Sequence, residues 1–94
     1  MKLKIQERFW AVGRRTRRVK TVRVPLKVGT IKNFDVGCTW QIDEVSENSV
    51  KLSVIRRDGE TIKTFTVEKE KGAYWRPRSM DAGYEYIIKL VRFF

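Results

Sequence analysis

Arg14, Arg15, Arg17 and Arg18 place four guanidiniums within five residues, directly after Gly13 and with no apolar periodicity of their own. A planar guanidinium forks onto phosphate or carboxylate oxygens, so four on one loop can hold a polyanion without reading its bases. Lys20 and Arg23 extend the run, and Arg76 and Arg78 add two cations from late in the chain. The bland reading is a wet loop that keeps the chain soluble. Charge distribution argues for more than that. Of a formal net charge of +10, the first 35 residues supply +9 (eleven Lys and Arg against Glu7 and Asp35), residues 36–70 supply −2 and residues 71–94 supply +3. A field concentrated in one third of a chain acts on partners as well as on solubility.

Tyr74-Trp75-Arg76-Pro77-Arg78 sets two aromatic rings beside two arginines, a combination that stacks bases and carries cation–π contacts at single-stranded nucleic-acid sites. Trp10, sharing a strand face with Lys4 and Arg8, is a second candidate platform. Against both stands the large area that Trp and Tyr bury, which makes them common core and rim residues. The basic-Gly-aromatic-Gly signature of RNA-recognition sheets is absent, and no window of eleven or more residues has the period of a helix that could enter a major groove. Sequence-specific DNA reading is therefore not expected.

Catalysis finds little to work with. The chain has no His and one Cys, so it lacks the commonest general base and any His- or thiolate-based zinc site of usual composition. Cys38 has no base to activate it and reads as a small buried hydrophobe. Asp43 and Glu44 are adjacent, so a strand points them to opposite faces and they cannot act as a carboxylate pair. Asp58 and Glu60 belong to a turn beside Arg57. Glu7 interrupts an apolar face and reads as a buried partner for an Arg, as a bulge or as a functional carboxylate, the ion pair foremost. Asp81-Ala82-Gly83-Tyr84 lacks the Gly spacing and the Lys of a phosphate loop. The expectation is a protein that is not an enzyme and takes no metal or cofactor.

The elements that must position these residues are strands. Leu3 to Val12 alternates Leu3, Ile5, Glu7, Phe9 and Ala11 against Lys4, Gln6, Arg8, Trp10 and Val12. Residues 14–18 form the hairpin tip, and Val19 to Leu26 return, with Pro25 marking an end or an edge. A short strand at Thr30 to Phe34 lies between two turns, and Cys38 to Val45 follows with Cys38, Trp40 and Ile42 facing in. A three-residue loop, Ser46 to Asn48 with Asn48 left-handed, would set Ile42 against Leu52 and Trp40 against Val54. Asp58-Gly59 reads as a two-residue turn with positive φ at both positions. It sets Arg57 against Glu60, Ile55 against Ile62, Leu52 against Phe65 and Val50 against Val67. Strands at Ala73 to Arg76 and Tyr84 to Phe93 complete the chain.

The spacing predicts one all-β domain over residues 1–94: a small antiparallel β-barrel or β-sandwich of about seven strands with a central meander. No apolar run approaches the ~18–20 residues that span a bilayer, the first residues lack the apolar core of a signal peptide, and the lone Cys allows no internal disulfide, so a cytoplasmic address is expected. The function expected is polyanion binding, nucleic acid foremost, through Arg14, Arg15, Arg17, Arg18, Lys20, Arg23, Arg76 and Arg78, with Trp10 and Trp75 as stacking platforms. The competing expectation is a structural or interaction module that pairs through a strand edge, through an acidic surface of a partner, or with its own copies.

Overall fold

A computed structural model describes residues 1–13, 19–32, 34, 37–78 and 80–91. The arginines expected at the tip, Arg14, Arg15, Arg17 and Arg18, lie outside these residues, as does the end of the last expected strand. The described chain is all-β, with eight strands where about seven were expected: β1 (Lys2–Ala11), β2 (Val19–Pro25), β3 (Gly29–Thr30), β4 (Cys38–Val45), β5 (Ser49–Arg56), β6 (Thr61–Glu68), β7 (Ala73–Trp75) and β8 (Ala82–Val91). They form two four-stranded antiparallel sheets, ordered β2-β1-β8-β7 and β3-β4-β5-β6. Among the described residues the ladders do not join β2 to β3 or β6 to β7, so no barrel closes. The strands at the gaps explain why: β2 ends on Pro25, which has no N–H to donate, while β3 and β7 are two and three residues long. Among the described residues no helix is long and apolar enough to cross a membrane.

The expected strand at Thr30 to Phe34 is replaced by the shorter β3 and a connection that turns both Ile31 and Phe34 into the core. Two inward residues three apart cannot lie on one face of a strand. One core serves both sheets. Leu3, Ile5, Tyr86 and Ile88 enter it from the first sheet, and Trp40, Ile42, Val50, Leu52, Val54, Phe65 and Val67 from the second. Trp40 is fully buried at its centre. Its ring centroid lies 4.9 Å from Tyr86, 5.2 Å from Phe34, 5.9 Å from Phe65 and 6.0 Å from Trp75, spacings at which aromatic pairs attract beyond their buried area. At Gly72 a β-carbon would meet the carbonyl oxygen of Ile88 at 2.7 Å, so only glycine lets the β6–β7 connection run that close to β8.

The meander β4-β5-β6 has the core register that the apolar pattern predicts, by a different route at each turn. At the second turn the Gly59 N–H donates to the Arg56 carbonyl and the Arg56 N–H to the Glu60 carbonyl, with Gly59 at φ +90°. The loop therefore holds Arg57, Asp58 and Gly59, one residue more than expected, and Arg57 does not face Glu60. The side chain of Asp58 explains the choice. Its Oδ1 accepts the Glu60 N–H at 3.0 Å and its Oδ2 accepts Arg56 Nη2 at 2.8 Å, an Asx turn that closes the loop one residue later. Arg56 Nη2 also reaches Glu60 Oε2 at 2.5 Å. The Arg56 hydrogen bond holds the Asp58 carboxyl below its ordinary range. Ile55 consequently faces Thr61 rather than Ile62, and a bulge at Ile62 absorbs the difference, so that Leu52 meets Phe65 and Val50 meets Val67.

The first turn repeats the pattern. The Ser46 N–H and Oγ both donate to the Ser49 carbonyl, leaving Glu47 and Asn48 at the tip in place of the expected three-residue loop. A bulge at Asp43 then restores Ile42 to Leu52 and Trp40 to Val54. Slipping either strand by one would turn its apolar set to solvent. Burial therefore sets the register, and bulges reconcile it with whichever turn the local side chains prefer.

Candidate polyanion-binding face

The first sheet positions the candidate site. Because Leu3 and Ile5 are fully buried, the alternating residues Lys4, Gln6, Arg8 and Trp10 project from the opposite face of β1. On β2, Val22 and Val24 pack against the core, which directs Arg23 outward. On β8, burial of Tyr86 and Ile88 directs Glu85, Ile87 and Lys89 outward. The register then brings cations together: Lys4 lies directly opposite Arg23 on β2 and directly opposite Lys89 on β8. Like charges facing one another across a ladder oppose folding by about 0.2–1 kcal/mol per pair, and this row contains two such pairs.

Toward the Trp10 end the face changes character. Thr21, Gln6, Ile87 and Tyr74 form a neutral row. In the next, Arg8 pairs with Glu85 at 3.8 Å, and the Tyr74 hydroxyl donates to Glu85 Oε2 at 2.5 Å. That hydrogen bond raises the Tyr74 phenol above its ordinary range and occupies the carboxylate of this face. Beyond it the Arg76 guanidinium lies 3.9 Å from the centroid of the Trp10 ring, a close cation–π stack. A cleft of about 380 Å³ opens there, lined by Trp10, Val12, Arg76, Pro77, Arg78 and Met80. The Trp10 indole N–H is buried and makes no hydrogen bond among the described residues. Val12 N–H donates to the Asp81 carbonyl at 2.9 Å, tying the strand ends behind the cleft.

The expected residues therefore divide. Arg76, Arg78 and Trp10 meet at one end of the outer face, and Arg23 stands toward the other end, opposite Lys4. At ~3.3 Å per residue along β1, Lys4 and Trp10 are about 20 Å apart. Lys20 is turned the other way: it faces Glu7 in register, on the core side of the sheet, with its Nζ 5.6 Å from the centroid of Phe34. Glu7, expected foremost to pair with an Arg, is thus opposite a lysine. Trp75 also faces the core, with its ring 5.5 Å from Tyr86 and 5.7 Å from Phe65, so the two tryptophans do not form a joint platform. The connection that carries residues 14–18 leaves from Gly13 and rejoins at Val19, at the Trp10 end of the sheet.

Sequence reasoning missed Lys4 and Lys89 as site residues. The strand alternation exposes each of them, but only the pairing of β1 with β8 makes them neighbours. The carboxylates left open by the sequence have structural partners. Asp43, at its bulge, accepts hydrogen bonds from Ser53 Oγ and from Gln41 Nε2, and Glu44 pairs with Lys51 at 3.4 Å. The outer face of the second sheet is polar, with no excess of cations among the described residues: Thr39, Gln41, Ser53, Thr64 and Thr66 lie beside Asp43 and the Glu44–Lys51 pair. Compared with known proteins, the chain matches no family model, no curated protein and no solved structure, so function has to be argued from the site.

Proposed function

We propose that this chain is a non-enzymatic β domain that binds a polyanion, nucleic acid foremost, on the outer face of the β2-β1-β8-β7 sheet, with the second sheet stacked behind it as the other half of a sandwich. Arg14, Arg15, Arg17 and Arg18, which lie between β1 and β2 in sequence, belong to the proposed binding set, and a cytoplasmic site of action goes with this reading. The observation that carries it is the row Arg23, Lys4, Lys89, in which three cations stand directly opposed across three strands. Charge that serves solubility alone is better spread out, since direct opposition works against folding. A polyanion laid along the row relieves that repulsion. The outer face of the second sheet, polar and bearing the Asp43 carboxylate, fits the same reading, because it leaves one side of the molecule to attract phosphates.

The test is fluorescence anisotropy with labelled single-stranded DNA, duplex DNA, RNA and a sulfated polysaccharide over a range of salt. With about five phosphates neutralised, the logarithm of the binding constant should fall against that of salt with a slope of about −4 to −5 on duplex and −3.5 on single strands. The nucleic acids should outcompete the polysaccharide. Equal weak binding to every polyanion, or none, overturns the proposal. The competing reading, an interaction module, draws on the open edge of β6, where Ile62 is exposed at a bulge. A stable oligomer by light scattering, without polyanion affinity, would favour it.

A further inference from the structure

The cleft at the Trp10 end has a chemistry that the cationic row lacks. Its walls are apolar at Trp10, Val12, Pro77 and Met80, with Met80 90% exposed, and two guanidiniums stand among them. A duplex presents phosphates and hides its base faces; a site for phosphates alone would have no use for a thioether and an indole. A volume of about 380 Å³ falls at the lower end of the ~300–1,000 Å³ typical of small-molecule sites, room for a single flat ring. The Arg76 guanidinium, already stacked on Trp10, is exposed and is the kind of plane on which unpaired bases stack.

Resting on the proposed polyanion function, we infer that this cleft takes one unpaired base of a single-stranded nucleic acid, piled on the Arg76 guanidinium over Trp10, with Arg78 on the adjoining phosphate. The strand then runs along β1 toward Lys4, whose row binds backbone only. The domain is in this way a single-strand binder with one base anchor and a separate phosphate track. Selectivity among bases is small, because every base has a π-face and the cleft wall is apolar.

The experiment compares oligothymidylate with a wholly abasic strand of the same length and charge, by anisotropy at fixed salt. One stacked base is worth roughly five- to a hundredfold in affinity, and the wild-type chain should prefer oligothymidylate by that factor. Trp10→Ala and Arg76→Gln should each bring the ratio close to one, while Trp10→Phe, which keeps an aromatic plane, retains most of it. A variant is read only if it unfolds cooperatively in urea; the wild-type ratio needs no variant. Steep, salt-dependent and equal binding to both strands would overturn the base anchor and leave the polyanion face standing. A ratio that persists in both Trp10→Ala and Arg76→Gln would place the base elsewhere and also overturn it. Failure to bind either strand would remove both readings together.

Discussion

Replacing Lys4, Arg23 and Lys89 together by glutamine should weaken polyanion binding and raise the unfolding temperature of the same molecule. The two effects have one cause. In the register of the first sheet Lys4 has Arg23 on one side and Lys89 on the other, and glutamine keeps much of each stem while removing both like-charge oppositions. At about 0.2–1 kcal/mol per directly opposed pair, and about 4–8 °C per kcal/mol for a domain of this size, a rise of several degrees is expected. Removing three phosphate partners should flatten the salt slope by about 2–3 on duplex DNA and about 2 on single strands. Thermal melts and anisotropy on the same preparation read both. Polyanion affinity unchanged by the substitutions would show that the row is not the binding face. A lower melting temperature would show that the cations hold the sheet together through their stems, contrary to the repulsion described above.

The largest effect on the fold should come from Trp40→Ala. Trp40 is fully buried and its ring meets those of Phe34, Phe65, Trp75 and Tyr86, from the β3–β4 connection and from both sheets. Truncating a buried Trp costs about 3–5 kcal/mol, a large share of the ~5–15 kcal/mol that holds a small domain together. Urea unfolding should show the midpoint falling by about 1–5 M at the ~1–3 kcal/mol/M typical of small domains, or no cooperative transition at all. Trp10→Ala should lose much less, since its ring lies on the outer face under Arg76. Equal losses at the two positions would contradict the placement of Trp40 at the centre of a shared core.

How legible the molecule is from its sequence depends on the distance over which each feature acts. The pairing of Leu52 with Phe65 and of Trp40 with Val54 is legible because alternation and short connections specify it. The turns themselves are not, because side-chain hydrogen bonds such as that of Asp58 to the Glu60 N–H decide loop length, and alternation does not register them. A bulge can hide the difference. The site is legible in halves. Strand alternation places Lys4 with Trp10 on one face and Lys89 with Glu85 and Ile87 on one face of the last strand, but both faces of that strand carry apolar residues and no local signal joins β1 to β8. The basic run at 14–18 and the Trp75-Arg76-Pro77-Arg78 stretch attract attention by composition, which cannot say that Trp75 turns inward while Arg76 turns out onto Trp10. Lys20 and Arg23 look alike in sequence; three positions apart on one strand, they take opposite faces.

The pairing of β1 with β8 also has a consequence in time. It joins Ile5 to Ile88, so nearly the whole chain is the loop that must close, whereas β4, β5 and β6 meet across turns of a few residues. Closure entropy grows with the logarithm of loop length, and ladders between distant segments form slowly. The meander can therefore assemble early, while the β1–β8 half of the cationic row exists only after the two distant strands have met. Hydrogen-exchange labelling during refolding should show β5 amides protected before those of β8; the reverse order would mean that the distant pairing nucleates the fold. In the expected order, a newly made chain acquires its core hairpins first and the row of Lys4 and Lys89, with the polyanion affinity proposed for it, last.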